Sequence, residues 1–208
     1  YVQPLHFTGG EEFDKLKNNI LVHEGEGQLE VLRVGRPLVY YMGQEEHPDD
    51  YQILIDRFIK SLNISKDDGL LLVGHGGLGS GNSSYGNLQF KLIRDGLTNV
   101  RIAVLENAPY VADVAMPWEW LDGKRPNTIY VHPLLLVLGD HAQNDLFGDE
   151  EDSVINELAD YGYEVKPIHS ALGEYEAIQD IFRQHVQDCI DDLYGKRSPH
   201  RPTIPNIK

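Results

Sequence analysis

Three residues with metal-binding side chains closely follow three hydrophobic runs of the chain: His75 after LLLV, Glu106 after IAVL and His141 after LLLVL. Such runs are typical of buried parallel strands, whose carboxyl ends meet at one edge of an open sheet, where ligands bind. Two imidazoles and a carboxylate suit Fe(II), Co(II), Ni(II) or Zn(II) and leave positions for exchangeable ligands. The sequence therefore predicts a divalent-metal site at this edge.

Each of these residues also has a structural alternative. A histidine at the end of a strand is often only hydrogen-bonded, and a glutamate there is often an ion-pair partner. Their shared placement favours the metal site over three unrelated structural roles. His6 lies at the end of a further predicted strand, so we expect it in the same cleft.

The stretch LLLVGHGGLGSGN also has GxGxxG spacing at Gly74, Gly76 and Gly79, and Glu106 ends the next strand. This pattern resembles the fingerprint of dinucleotide-binding enzymes, in which a helix begins inside the motif. We expect residues 80–84 to prolong the loop instead, and His75 to hinder the approach of a phosphate. A dinucleotide enzyme is the weaker alternative, because a single GxGxxG is a weak signal.

Composition excludes several classes of partner. The 208 residues carry 18 basic and 33 acidic side chains, a formal charge of -15, which repels nucleic acid and attracts cations. The longest apolar run, residues 133–138, is far shorter than the roughly 18 to 20 residues of a membrane helix. The lone Cys189 rules out an internal disulfide. We expect a cytoplasmic protein, with the periplasm as the alternative, because a signal peptide before Tyr1 would not be visible.

Short β-rich runs alternate with stretches of helical period, which predicts an α/β fold with parallel sheets flanked by helices. A faint repeat, YVQPLH before GGEEFDKL and YVHPLL before GDEEDS, suggests two similar α/β halves that face a cleft. Helices are predicted near residues 51–62 and 154–161, the second with Asp149 as N-cap and Gly162 as stop. Strands are predicted at residues 1–7, 29–41, 69–73, 100–105, 129–138 and 164–168.

Several segments resemble the anaerobic sirohydrochlorin cobaltochelatases, class II tetrapyrrole chelatases of the CbiK type. These are VGHGG with Asn82 and Tyr85, VLENAP, HPLLLVLGDHAQNDLFGDEEDS and SALGEYEAIQDIF, and the likeness runs from about residue 1 to residue 190. The opening VQPLHFTGGEEFDKL resembles the part of that family after its first βαβ portion. We therefore expect the amino-terminal part of the first half to be missing.

The resemblance implies a chelatase-like fold of two α/β halves with the tetrapyrrole between them. We expect the chain to divide into the remainder of the amino-terminal half, the carboxyl-terminal half, a helix that packs back on the first half, and an extended tail: residues 1–46, 47–172, 173–194 and 195–208.

The resemblance also implies a lyase that inserts a divalent metal into sirohydrochlorin in cobalamin or related tetrapyrrole biosynthesis. Cobalt is expected first, with iron or nickel as alternatives, and no organic cofactor. The family's metal-binding and catalytic residues match His75, Glu106 and His141, and we give His75 the proton-accepting role. Four further residues are predicted to contact the substrate: His6, Gly76, Asn82 and Tyr85. A homo-oligomer is left open.

The chain departs from the family in two places that thin the pocket wall. Gly79 stands where members usually have a second histidine, and Ala108 stands where they usually have an aromatic residue. The alternative hypothesis is therefore a non-enzymatic protein that binds haem or a metal-tetrapyrrole on the same fold. In either case the negative charge of the chain opposes a polycarboxylate ring, and we expect Arg101 or Lys124 to offset it.

Overall fold

Four parallel strands form the central sheet. The computed structural model describes residues 1–27, 29–77, 80–115 and 125–193. The order across the sheet is β2-β1-β3-β4, with β1 (Gly69–Gly76), β2 (Val100–Glu106), β3 (Thr128–Pro133) and β4 (Glu164–Pro167). The helices are α1 (Glu11–Leu21), α2 (Asp50–Arg57), α3 (Ser80–Arg94), α4 (Val111–Ala115), α5 (Asp140–Phe147), α6 (Val154–Asp160) and α7 (Glu176–Ile190), with short 3₁₀ helices at Ile59–Leu62 and Leu172–Glu174. The predicted α/β class, a parallel sheet flanked by helices, is confirmed.

The sheet is buried on both faces because alternate side chains of each strand point to opposite sides. Leu70 and Leu72 of β1 pack into the core with residues of α2, α3 and α7. Leu71 and Val73 pack on the other face, with residues of α4 and α6. This two-sided burial explains why the strands read as continuous hydrophobic runs rather than as alternating patterns.

The amino-terminal segment runs parallel to residues 33–39 without forming a regular strand. The two are joined by isolated bridges, Val2 with Val34 and Thr8 with Val39. The strands predicted at residues 1–7 and 29–41 are therefore wrong in extent. The physical reason is that Pro4 and Pro37 lack the N–H groups that a continuous ladder requires.

Other predicted boundaries also need correction. Helix α3 begins at Ser80, so the predicted loop over residues 80–84 is wrong, and with it one argument against the dinucleotide reading. Ser153, not Asp149, is the N-cap of α6, while Gly162, with φ +85°, follows the end of that helix as predicted. Strand β3 ends at Pro133 instead of near residue 138. The carbonyls of Leu135 and Leu136 instead accept hydrogen bonds from Leu172 and Gly173.

A buried ion-pair network connects residues 33–36, which run beside the amino-terminal segment, to two helices. The guanidinium of Arg36 lies 3.2 Å from a carboxylate oxygen of Asp50, the first residue of α2, and 2.6 Å from one of Asp188 in α7. Arg33 donates to the carbonyls of Cys189 and Ile190 at the end of α7. The division of the chain into halves, a packing helix and a tail stays a prediction, and the tail predicted at residues 195–208 lies outside the described residues. Among the described residues, no helix combines the length and apolar character needed to cross a bilayer.

Candidate active site

An open cavity of about 650 Å³ lies between the amino-terminal segment and the carboxyl ends of β1 and β2. One wall is formed by residues 6–8 and 10–13, which lead into α1. The other wall is formed by residues 75–77, Gly81, Tyr85 and Glu106. The cavity therefore contains four of the residues singled out from the sequence besides Glu106: His6, His75, Gly76 and Tyr85.

His75 and Glu106 come together because their strands are neighbours in register. Gly76 of β1 is paired with Glu106 of β2, which places the histidine beside the glutamate at the edge of the sheet. His75 Nδ1 and Glu106 Oε2 are 3.9 Å apart, and the side chains are 61% and 64% exposed. This distance is too long for a hydrogen bond, so the lone pairs of both groups remain available to a cation. An ion about 2.1 Å from each atom needs them only roughly half an ångström closer, which small side-chain rotations supply.

Gly76 allows the two strand ends to approach this closely. Its φ is +84°, a left-handed conformation, and a Cβ built on it would lie 1.9 Å from the carbonyl oxygen of Glu106. An L side chain is strained in this conformation and would also collide with the neighbouring backbone. Gly76 is therefore a structural requirement of the His75–Glu106 pair, and its predicted contact with substrate stays a prediction.

Tyr85 supports the end of β1, which carries His75. Its hydroxyl accepts a hydrogen bond from the Gly76 N–H at 3.5 Å, and its ring stacks on Phe7 with the ring centres 5.4 Å apart. A Cβ on Gly74 would lie 2.2 Å from the Tyr85 ring, so the absence of a side chain there makes room for it. Burial raises the pKa of the Tyr85 hydroxyl. A neutral phenol that is 4% exposed acts as a support under the His75–Glu106 pair.

Asn82 fixes the loop that follows β2. Its amide Nδ2 donates to the carbonyl of Ala108 at 2.5 Å. From the other side, the amide of Asn107 donates to the carbonyl of Gly77 at 3.3 Å. These two bonds connect the first turn of α3 and the loop after β1 to the loop after β2, next to the candidate site. Asn82 does not line the described cavity, and the predicted contact between Asn82 and substrate stays untested.

His141 lies in the first turn of α5, which follows β3 at the same edge of the sheet. Its side chain lies outside what the structure describes, so its convergence with His75 and Glu106 stays a prediction. Among the described residues, no group of three histidine, cysteine, aspartate or glutamate side chains is placed to hold a metal ion. The structure thus brings together two of the three residues predicted as ligands, and it gives the backbone position of the third.

The wall opposite His75 was only partly anticipated. His6 was expected in the cleft and lines it, whereas the contribution of residues 7–13 was not predicted. Glu11 and Glu12 stand on this wall, and Lys15 pairs with both of them at 2.9 Å. The faint repeat that relates the start of α1 to the segment before α6 is the sequence signal that could have directed attention here.

Glycines set the separation of the two walls. A Cβ on Gly10 would lie 3.1 Å from the Cα of Gly81 in α3, and one on Gly81 would lie 3.3 Å from the carbonyl oxygen of Gly9. Beside this contact, the hydroxyls of Thr8 and Ser84 share a short hydrogen bond. The first turns of α1 and α3 therefore meet backbone to backbone.

Two further expectations concern residues away from the cavity. His132 was predicted to be a core or surface residue, and it is fully buried, with its ring nitrogens near the Pro133 carbonyl and the Tyr175 hydroxyl. Arg101 was predicted to offset the substrate's carboxylates, which is wrong, because it is 5% exposed and its guanidinium donates to the carbonyls of Thr98 and Val100. Lys124 lies outside the described residues.

The chain is similar to proteins of known family and fold. The profile of the cobalt chelatase (CbiK) family matches residues 1–191. A sirohydrochlorin cobaltochelatase of Salmonella typhimurium is 25% identical over 190 residues, which cover 91% of this chain and 68% of the relative. The sirohydrochlorin cobaltochelatase CbiKC of Nitratidesulfovibrio vulgaris is 25% identical over 194 residues, which cover 92% of this chain and 65% of the relative. The chain thus spans about two thirds of the length of these curated relatives.

The fold has a solved counterpart. The structure described as SirB from Bacillus subtilis with Fe3+ superimposes with a TM-score of 0.61 and 16% sequence identity, over 95% of this chain and 73% of that one. At this identity the likeness concerns the fold alone.

Proposed function

The chain belongs to the cobalt chelatase (CbiK) family, and we propose that it inserts a divalent metal into sirohydrochlorin in cobalamin biosynthesis. Both curated relatives carry the name sirohydrochlorin cobaltochelatase, which supports cobalt as the metal. The observation that carries the proposal is the pairing of His75 and Glu106 at the cavity, with both side chains exposed and 3.9 Å apart.

The residues present suit the reaction. Metal insertion removes two protons from pyrrole nitrogens, whose lone pairs then bind the ion, and the ion remains M(II) while it sheds water. In this proposal Glu106, His141 and His75 hold the incoming ion until it passes into the bound ring. His75 accepts a pyrrole proton once the ion has passed on, because a neutral imidazole is a suitable base near neutral pH.

Charge at the cavity favours capture of the ion. The chain carries a formal charge of -15, and Glu11, Glu12 and Glu106 all line the cavity. A negative field raises the local concentration of cations, although Lys15 partly neutralises the first two carboxylates. The same field opposes the carboxylates of the tetrapyrrole, so we place the ring with its acidic substituents towards solvent.

The two relatives do not support the alternative of a non-enzymatic tetrapyrrole carrier, because both are named as chelatases. Iron or nickel as the native metal, a haem-like ring in place of sirohydrochlorin, the lack of an organic cofactor, a homo-oligomer and a cytoplasmic location all stay predictions.

The test is a metal-insertion assay with purified protein, sirohydrochlorin and Co(II), followed by the change of the visible absorption band. We expect the wild type to accelerate insertion and His141→Ala to abolish the acceleration. His23→Ala is the matched control, because His23 is exposed and pairs with Glu26 away from the cavity. An unchanged rate in His141→Ala would contradict the role of His141. No acceleration with Co(II), Fe(II) or Ni(II) would contradict the proposed function itself.

A further inference from the structure

The cavity has two walls that belong to different parts of the chain. His75 and Glu106 lie on the wall at the carboxyl ends of β1 and β2, whereas His6 lies on the wall of the amino-terminal segment. A flat ring bound between these walls would present one face to the His75–Glu106 pair and the other face to His6. The two faces of the ring would thus lie next to different side chains.

The ring of His6 has one nitrogen available to a bound molecule. Its Nδ1 is buried and has no hydrogen-bond partner among the described residues, while Phe13 packs edge-on against the imidazole at 6.1 Å between ring centres. His6 lines the cavity, and we therefore assign the other ring nitrogen, Nε2, to the contact with a bound molecule. A buried polar atom without a partner is uncommon and calls for a functional or structural explanation.

The backbone of His6 is held in place. Its carbonyl accepts a hydrogen bond from the N–H of Leu38 at 2.9 Å, and the carbonyl of Phe7 accepts one from Val39 at 2.9 Å. The next residue, Thr8, is bound through its hydroxyl to Ser84 of α3. A base must lie in a defined position relative to the proton that it removes, and these contacts provide that.

A base on the second wall resolves a conflict on the first. An imidazole nitrogen whose lone pair binds a metal ion cannot accept a proton with the same lone pair. While His75 holds the ion, it is therefore not free to act as a base on the ring. A second imidazole across the ring removes a proton without displacing the ion.

We propose that His6 is a catalytic base for the chelatase reaction, acting on the face of the tetrapyrrole opposite to His75 and Glu106. One pyrrole N–H bond breaks, its electron pair stays on the nitrogen and becomes a bond to M(II), and the proton moves to Nε2 of His6, which then releases it to water. The second pyrrole proton leaves through His75 after the ion has left that residue. This inference rests on the proposed function.

The decisive variant is His6→Gln, which keeps a polar group near the position of Nε2 but cannot serve as a base at neutral pH. In the cobalt-insertion assay we expect kcat to fall about 100-fold, as for loss of a general base, with KM for sirohydrochlorin unchanged. Binding of Co(II) alone, followed by its visible absorption, is expected to stay at the wild-type level, whereas His75→Ala weakens it. Circular dichroism verifies the fold of each variant.

A second variant covers the case in which glutamine is not tolerated. We expect added imidazole to restore part of the activity of His6→Ala and none of that of His75→Ala, in which a metal ligand is lost as well. His23→Ala, outside the cavity, is expected to match the wild type throughout.

The outcomes distinguish a failure of the role proposed for His6 from a failure of the proposed function. A wild-type kcat in His6→Gln would overturn the role of His6 as a base, and so would a raised KM at unchanged kcat, which indicates a binding contact only. Loss of Co(II) binding in His6→Gln would make His6 a metal ligand instead. A wild type that inserts no metal would overturn the proposed function rather than this inference alone.

Discussion

Replacing Gly76 by alanine tests whether the approach of two strand ends builds the candidate metal site. The new Cβ would lie 1.9 Å from the carbonyl oxygen of Glu106, whereas ordinary contact begins at 3.4 Å, so the strand ends must separate by about 1.5 Å. The positive φ adds backbone strain of about 1–3 kcal/mol. We expect the free energy of unfolding to fall by about 3 kcal/mol, and Tm by roughly 6–12 °C for a chain of this size.

We expect metal binding and the rate of insertion to fall as well, even in the molecules that remain folded. Moving His75 away from Glu106 by an ångström or more weakens their joint hold on an ion, and misplacement on this scale commonly costs about 100-fold in rate. The measurements are urea unfolding, Co(II) titration and cobalt insertion. Gly96→Ala is the control, because Gly96 also has a positive φ, +76°, but a Cβ there meets no atom within 4 Å, and it does not line the cavity. If both variants unfold alike and bind Co(II) alike, the reasoning about strand approach is refuted.

Two further predictions concern stability. Burial lowers the pKa of His132 to about 4 from the ordinary 6.5, so between these values the unfolded chain binds more protons and the free energy of unfolding rises with pH. We expect a gain of up to about 3 kcal/mol across this window in urea unfolding, and a flatter profile in His132→Gln; equal slopes in the two proteins would argue against the assignment. Asp188→Ala leaves Arg36 with a less compensated buried charge and is expected to cost about 3 kcal/mol in the same measurement. Asp180→Ala, on the exposed side of the same helix, is expected to cost less than about 0.5 kcal/mol, and similar losses in both would contradict a stabilising network.

The pairing of His75 with Glu106 was accessible from the sequence. Hydrophobic runs of strand length predict parallel strands, and a residue just beyond such a run lies at the carboxyl edge whatever the details of packing. The positions of β1, β2 and β4 followed from the same runs. The resemblance to chelatases added the substrate class and the roles of the residues, which spacing alone does not supply.

The parts of the fold that the sequence did not predict depend on contacts between residues that are distant in the sequence. Ser80 and its small, polar neighbours read as a loop, yet they begin α3 because the first turn of that helix packs against Gly9 and Gly10. The run at residues 134–138 looked like a continuation of β3, but its carbonyls bond to the segment after β4. Local patterns do not record which distant segment completes a hydrogen-bond ladder or covers a helix end.

The close contact between Gly10 and Gly81 has a consequence for how the width of the cleft could differ between related chains. Since only backbone atoms separate the two walls there, a single added methyl group acts as a spacer that moves His6 away from His75 without altering any polar side chain. The width of the cleft is thus set by two glycines that have no side chain to bind or react with the ring.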